Sequence, residues 1–339
     1  MQPEKFLNKF DNIVFEPEGV ITSDSHRLLC AVLAVYEICN SEKYYGKSSL
    51  NFSSIYSNQK QISDLLLCSG KLPAVFNDLG IDHPIDIAYV LISGILGLGE
   101  RRDFLNICNY FRYIDLHTPE IFEHSAVLLG RCFPHIDCKK GGAFWQNIAN
   151  CYYEWLYGDE LYEAVFGEEP ENKGKPSIIS TEKLCCSITN LKDIFSVLGN
   201  SHKLSLYSTR TRSEIAYFLN KFNLTDTFPI GSYICYEDIV DSGRLPNINT
   251  PAKPDVYPIA RCAIGPSFSY DSYFKGKYDS KLLRTLVVSS SEISLFVSQT
   301  LGAGFAAVVD DPTNKVRRDI FRHLEADRVF HSISDLIKE

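Results

Sequence analysis

The 339-residue sequence has no run approaching the roughly 18 uninterrupted apolar residues that a membrane-spanning helix requires. Its opening residues, Met1-Gln2-Pro3-Glu4-Lys5, lack the apolar core of a secretory signal, so a cytoplasmic location is expected. Positive charge is in short supply: 34 basic residues against 42 acidic ones give a net charge of −8. That balance argues against nucleic acid or an anionic membrane as the main partner. Low-complexity runs and internal repeats are absent, and so is any phosphate-cradling glycine loop of the Walker or dinucleotide type. The eleven cysteines are odd in number and scattered, and two of them, Cys185 and Cys186, are adjacent. They read as reduced, mostly buried small residues, not as a disulfide framework.

With 45% hydrophobic residues the chain can bury substantial cores, and its length exceeds that of a usual single domain. The most informative stretch is Asp11-Asn12-Ile13-Val14-Phe15-Glu16-Pro17-Glu18-Gly19-Val20-Ile21, a short apolar strand that delivers two carboxylates two residues apart. Read locally, Phe-Glu-Pro-Glu-Gly is also a turn after an edge strand with solvated glutamates. Leu204 to Arg210 forms a second apolar strand ending in a hydroxyl at Ser208, and Arg212 to Leu224 reads as an amphipathic helix. A hydroxyl before a helix is equally an ordinary N-cap. Lys253-Pro254 places a lysine before a proline suited to a first helical turn. Leu286-Val287-Val288 leads into Ser289-Ser290-Ser291-Glu292-Ile293-Ser294, then a helix over Leu295–Leu301 and a glycine turn into Phe305–Val309. Ala326–Phe330 reads as a last strand, followed by a C-terminal helix from Ser334.

In this order and spacing the four motifs resemble the haloacid dehalogenase superfamily, with its two motif-one aspartates replaced by Glu16 and Glu18. The resemblance implies an α/β fold: a Rossmann-like core with a parallel sheet, residues 1–21 and 186–339, and a large all-α cap, residues 22–185. It also implies that Glu16 stands at the nucleophile and Glu18 at the acid-base position. Ser208, with Thr209 after it, and Lys253 match the phosphate-binding positions. Ser290 and Ser294 stand where the metal-binding acids belong, with Glu292 close enough in sequence to substitute. Each glutamate carries its carboxylate roughly 1.5 Å farther than an aspartate does. A misplacement of about 1 Å can cost on the order of 100-fold in rate. The magnesium site of the family draws on the nucleophile, the carbonyl of the second motif-one residue and a motif-four aspartate. A serine hydroxyl is a weak ligand for so hard an ion.

The insertion carries helical periodicity at Ser23 or Asp24 through Cys39, at Ile62–Leu67, Ile85–Leu98, Phe104–Phe111, Pro119–Leu129 and Ala143–Leu156. Cys151 to Tyr162 is dense in aromatics and acids and resembles a Tyr-Gly-acid-Glu-Leu segment in caps of some relatives. Trp145, Trp155 and Tyr157 are candidates for a pocket lining or for the cap core, with the core the usual place for large aromatics. Glu168–Lys175 reads as a polar loop and hinge, and Asp241–Pro254 as a surface loop. Cys132, His135 and Cys138, with His124 as a spare, sit at metal-like spacing but lack the second paired knuckle of a zinc site.

The sequence therefore favours a catalytically silent relative, leaning away from an enzyme, that binds a protein partner or a phosphorylated metabolite and needs no cofactor. The alternatives are a divergent phosphatase using Glu16 with magnesium, and a metal-independent enzyme using both glutamates as acid and base.

Overall fold

The computed structural model describes residues 6–23, 25–41, 49–66, 76, 81, 83–97, 109–110, 118–239, 256–310 and 314–338. These fall into two compact units, an α/β unit of residues 6–23, 183–239 and 256–338, and a helical unit of the described residues between 25 and 182. Among the described residues, no helix is long and apolar enough to cross a membrane.

The α/β unit is built on six strands: β1 Asn12–Phe15, β2 Lys203–Tyr207, β3 Tyr233–Ile234, β4 Thr285–Ser289, β5 Gly304–Val308 and β6 Arg328–Phe330. They form one sheet in the order β3-β2-β1-β4-β5-β6, and every neighbouring pair is parallel. All five residues of β4 are buried, as expected of a central strand covered on both faces. Strand order reverses between β1 and β4, and ligand sites of doubly wound sheets lie beyond the carboxyl ends of the strands at such a point.

In the helical unit, α1 (Ser25–Asn40) precedes two short helices, α2 (Phe52–Ser57) and α3 (Gln59–Leu66). Three longer ones follow: α4 (Pro84–Gly97), α5 (Thr118–Cys132) and α6 (Ala143–Phe166). Helix α1 packs on α4 and α6, and α4 packs on α5. Residues Pro84 to Ile95 of α4 are all buried, which explains why its sequence is apolar around the whole helix. Most of the expected segment Phe104–Phe111 lies outside the described residues, as do Leu67 and Leu98. Helix α6 runs past its expected end at Leu156 but breaks at Gly158, whose φ is +64°. A Cβ there would lie 2.6 Å from the backbone nitrogen of Ser177, so only glycine lets the returning chain pass this close.

That returning chain is fastened by a buried charge. The ammonium of Lys175 lies 3.0 Å from Glu37 Oε1, pairs with Glu154, and stands 4.8 Å from the Phe52 ring centroid. The indole of Trp155 donates to Glu37 Oε2 at 2.7 Å. Burial raises the Glu37 carboxyl pKa even against the attraction of Lys175. Burial also opposes the charge on Lys175, but Cys151, Glu37 and Glu154 outweigh it and hold its pKa above the ordinary value. Trp155 and Tyr157 are core residues, and Trp145 donates its indole to Asp86 at 3.1 Å.

The α/β unit continues with α7 (Ile188–Gly199), α8 (Arg212–Lys221), α9 (Tyr236–Ile239), α10 (Tyr257–Ile264), α11 (Tyr270–Phe274), α12 (Asp279–Leu282), α13 (Glu292–Leu301) and α14 (Lys315–His323). Helices α7 and α8 cover one face of the sheet in a core with Ile13, Phe15, Leu206, Val288 and Val308. Helices α10, α13 and α14 cover the other, where Phe305 of β5 stacks on Phe321 of α14. Thr22, Ser23 and Lys183 to Cys185 join this unit instead of the insertion, because Ser23 N–H donates to the Lys183 carbonyl and Cys185 N–H to that of Ile21. The helix expected from Ser334 is one 3-10 helix, Ile333–Ile337, started by a capping box between Ser332 and Asp335.

Lys175→Met strands two buried carboxylates without their cation, and we expect a loss of about 3–5 kcal/mol in urea denaturation. Lys175→Met combined with Glu37→Gln and Glu154→Gln is expected to lose less than the single variant. Equal losses would count against the charge as the cause.

Candidate functional site

The backbone after β1 is set by a tight turn in which the Pro17 carbonyl accepts N–H bonds from Ile21 and Thr22, both at 2.9 Å. Glu16 N–H still continues the ladder to Val288 O at 3.0 Å, so the carboxylate of Glu16 leaves from the strand end. Gly19 closes the turn at φ +71°, and a Cβ on it would stand 2.3 Å from the Ser290 hydroxyl. Glycine is required here on both counts: the left-handed backbone and the contact with the loop after β4.

The two glutamates meet different surroundings. Glu16 is half-buried, and its Oε2 accepts hydroxyl protons from Ser289 and from Ser294, the latter at 2.8 Å. Because Ser294 spends its proton on Glu16, the hydroxyl of Tyr207 at the end of β2 acts as donor to Ser294. Ser289 also accepts the Ser291 N–H at 2.9 Å. Glu16 is thus held by hydroxyls that come from β4 and α13.

Glu18 is buried, 8% exposed, and its Oε1 accepts from the Ser208 hydroxyl at 2.7 Å and from Arg210 Nε at 2.6 Å. Arg210 is wholly buried, donates a second bond to Thr22 Oγ1 at 2.9 Å, and lies 5.4 Å from the Phe218 ring centroid. A charge-assisted bond of this kind is among the strongest a side chain makes. Ser208, the expected phosphate-holding hydroxyl, therefore points at the protein's own carboxylate and also accepts the Arg210 N–H at 3.1 Å. Thr209 beside it is half-buried.

The Ser290 hydroxyl donates to the backbone carbonyl of Glu18 at 3.1 Å. Ser290 was the expected match to the motif-four acid and that carbonyl the expected motif-one ligand, and the two are bonded to each other. Glu292 sits in the first turn of α13 and pairs with Arg317 at 3.5 Å. Arg317 also donates to the Ser290 carbonyl. Lys253 lies outside the described residues. A magnesium ion needs several anionic or strongly polar oxygens in a near-octahedral set. The described positions offer one carboxylate already bonded to two hydroxyls, one carbonyl and one neutral hydroxyl, which does not fit that ion. Among the described residues, no group of three His, Cys, Asp or Glu side chains could hold a metal. At the cysteine spacing of the helical unit, Cys132 Sγ lies 3.6 Å from the Leu96 carbonyl and Cys138 Sγ 3.9 Å from that of Phe133. Burial pushes the Cys138 thiol up to about 11.

The structure brings together Glu16, Glu18, Ser208, Ser290 and Ser294, and turns Glu292 toward Arg317. It adds Ser289, Tyr207, Thr22 and above all Arg210, which the sequence reading passed over. The available signal was a cationic residue two places after a strand-end serine, in a stretch that then enters a helix.

No family model and no curated protein matches the sequence. Among solved structures, a Northeast Structural Genomics Consortium target aligns with a TM-score of 0.65 and 17% identity, covering 97% of each chain. A conserved haloacid dehalogenase-like protein of unknown function from Agrobacterium tumefaciens aligns at TM-score 0.45 and 12% identity, over 97% of this chain and 96% of that one. A haloacid dehalogenase-like hydrolase from Bacteroides fragilis aligns at TM-score 0.46 and 12% identity, over 96% and 99%. The chain has an α/β fold, a Rossmann-like core with a parallel sheet and a helical region, shared with the first of these structures. At this level of identity the likeness is one of fold.

Arg210→Met leaves Glu18 charged and buried without its guanidinium, and we expect a stability loss of about 3–5 kcal/mol. Glu18→Gln with Arg210→Met is expected to be more stable than Arg210→Met alone in the same denaturant titration. The reverse order would show that Arg210 acts through packing only.

Proposed function

We propose that this chain is a catalytically silent, cytoplasmic protein of haloacid dehalogenase-like fold that acts by binding a protein partner or a phosphorylated metabolite. The observation that carries this reading is the bonding of Glu18. An acid-base residue has to exchange a proton with a leaving group. Glu18 instead faces the buried guanidinium of Arg210 and the hydroxyl of Ser208, both part of the same chain. The arginine gives the carboxylate a charge-assisted bond within the chain, and the hydroxyl expected to grip phosphate is spent on it.

Glu16 supports the same reading. Its Oε2 is tied by two hydroxyls, and nucleophilic attack in line with a leaving group needs a carboxylate oxygen at a defined position and a counter-charge on the phosphoryl oxygens. A protein partner is favoured over a phosphorylated metabolite, because the Ser208 hydroxyl donates inward. The eleven scattered cysteines support a reducing compartment.

With magnesium present, purified protein is expected to release no phosphate from p-nitrophenyl phosphate beyond a blank, and Glu16→Gln to behave identically. Magnesium with inorganic phosphate is expected to leave the melting temperature unchanged, since a ligand shifts it only by binding the folded state. Turnover that disappears in Glu16→Gln would overturn the proposal in favour of a divergent phosphatase.

A further inference from the structure

The C-terminal end of α6 carries charge of the sign that a helix end disfavours. The segment after the break at Gly158, Asp159 to Phe166, holds Asp159, Glu160 and Glu163, and its last turn has no basic side chain. This end of a helix is the negative end of its dipole, so carboxylates there oppose it. Glu163 also stands one turn from both Asp159 and Glu160, and like charges at that spacing destabilise a helix. The chain beyond adds Glu168, Glu169 and Glu171, so residues 159–171 hold these six acids and no Lys or Arg. Of the cations that follow, Lys173 pairs with Glu169 at 2.7 Å, and Lys175 is buried with Glu37 and Glu154. Among the described residues, the exposed carboxylates of Glu160, Glu163, Glu168 and Glu171 have no hydrogen-bond or ionic partner.

An aromatic ring stands within this field. Phe166, one turn after Glu163, is 43% exposed, yet its ring is seated on three tyrosines. The centroid distances are 4.6 Å to Tyr162, 5.5 Å to Tyr153 and 5.9 Å to Tyr157. Tyr157 and Tyr162 are buried, so the ring is held from beneath. Burial raises the Tyr162 hydroxyl above its ordinary pKa, and Glu154, Glu168 and Glu171 raise it further, which sets Glu168 and Glu171 beside the same cluster. The Lys173 ammonium is raised by its bond to Glu169 and further by Glu163 and Asp159, which brings those two acids near that pair. A ring and carboxylates side by side suit a cation, because the ring face and the carboxylates both attract positive charge. A chain that breaks a local rule with no structural return marks a place kept for function.

We propose that the C-terminal end of α6 docks a basic segment of another protein, with one arginine or lysine on the Phe166 ring and others on Glu160, Glu163, Glu168 and Glu171. Nucleic acid and anionic lipid carry the wrong sign for this surface. Among the described residues no three acids are grouped to hold a metal ion, so cations spread along a segment suit them better than a point charge. A second copy of this chain is the poorer occupant, because a two-fold pairing would set the same acids against themselves. The inference rests on the reading that the chain works by binding a protein, and it names the surface and the chemistry of that partner.

The test uses the full chain and a fluorescent peptide rich in arginine and leucine, alongside the same peptide with glutamate in place of arginine. The expected result is saturable binding of the basic peptide alone, falling as salt rises. Glu160→Gln with Glu163→Gln, Glu168→Gln and Glu171→Gln is expected to weaken it by about tenfold or more. Phe166→Leu, which keeps an apolar side chain without the ring, is expected to weaken it roughly two- to fivefold. Asp193→Asn with Asp226→Asn, Asp271→Asn and Asp319→Asn removes the same charge from exposed positions of the other unit and is expected to leave binding unchanged. The glutamate variant is expected to melt no lower than the parent, because it removes like-charge neighbours and acids at the negative end of a dipole. Absence of saturable binding, equal weakening by the glutamate and aspartate variants, or unchanged affinity in the glutamate or Phe166→Leu variant would overturn the proposal. So would a dimer in sedimentation that the glutamate variant splits, or lost binding together with a lower melting temperature, since the acids would then serve the fold. Phosphatase turnover in the earlier assay would remove the non-catalytic reading, whereas only the peptide result bears on this surface.

Discussion

A carboxylate as deeply buried as that of Glu18 loses its water, and some other group must replace it. Here that group is the guanidinium of Arg210, which belongs to the loop after the neighbouring strand and is itself wholly buried. An ion pair taken out of water is rarely a net gain over an apolar pair, but each member alone would be far worse. The arrangement therefore ties β1 to β2 through side chains as well as through the ladder, and it fixes the direction of Ser208 and Thr22 with it. The chemistry of this sheet end follows from that internal pairing: its second carboxylate is bonded within the chain.

Glu16 is managed differently. Hydroxyls from Ser289 and Ser294, with Tyr207 behind Ser294, supply hydrogen bonds without supplying charge. Among the described contacts, Glu18 is held by a guanidinium and a hydroxyl and Glu16 by two hydroxyls, although sequence makes them look equivalent. On the proposed reading, the sheet end is a consolidated part of the fold.

Much of the frame was legible from residues alone. The apolar runs at Ile13–Phe15, Leu204–Tyr207, Leu286–Val288 and Phe305–Val308 are continuous because the sheet is covered on both faces, and each became a parallel strand. Helix ends were less legible: α6 continues through a break at Gly158 because the packing of Ser177 against it, a contact between residues far apart in sequence, decides its course. The site was legible in its members and not in its bonding. Glu16, Glu18, Ser208, Ser290 and Ser294 do converge, but local patterns cannot show that Ser208 turns to Glu18. Arg210 escaped notice for the same reason. Surface and buried arginines look alike in a sequence, and only the fold reveals which one has a carboxylate waiting inside.

The contact between the Ser290 hydroxyl and the Glu18 carbonyl has a consequence for how such a chain can change over generations. A lone Ser290→Asp exchange would exchange a proton donor for an ionised group and set two lone-pair-bearing oxygens face to face. Arg210 is already committed to Glu18, and Arg317 to Glu292 and the Ser290 carbonyl. An acid at this position therefore asks for a compensating change in its neighbours, a dependence created by one hydroxyl.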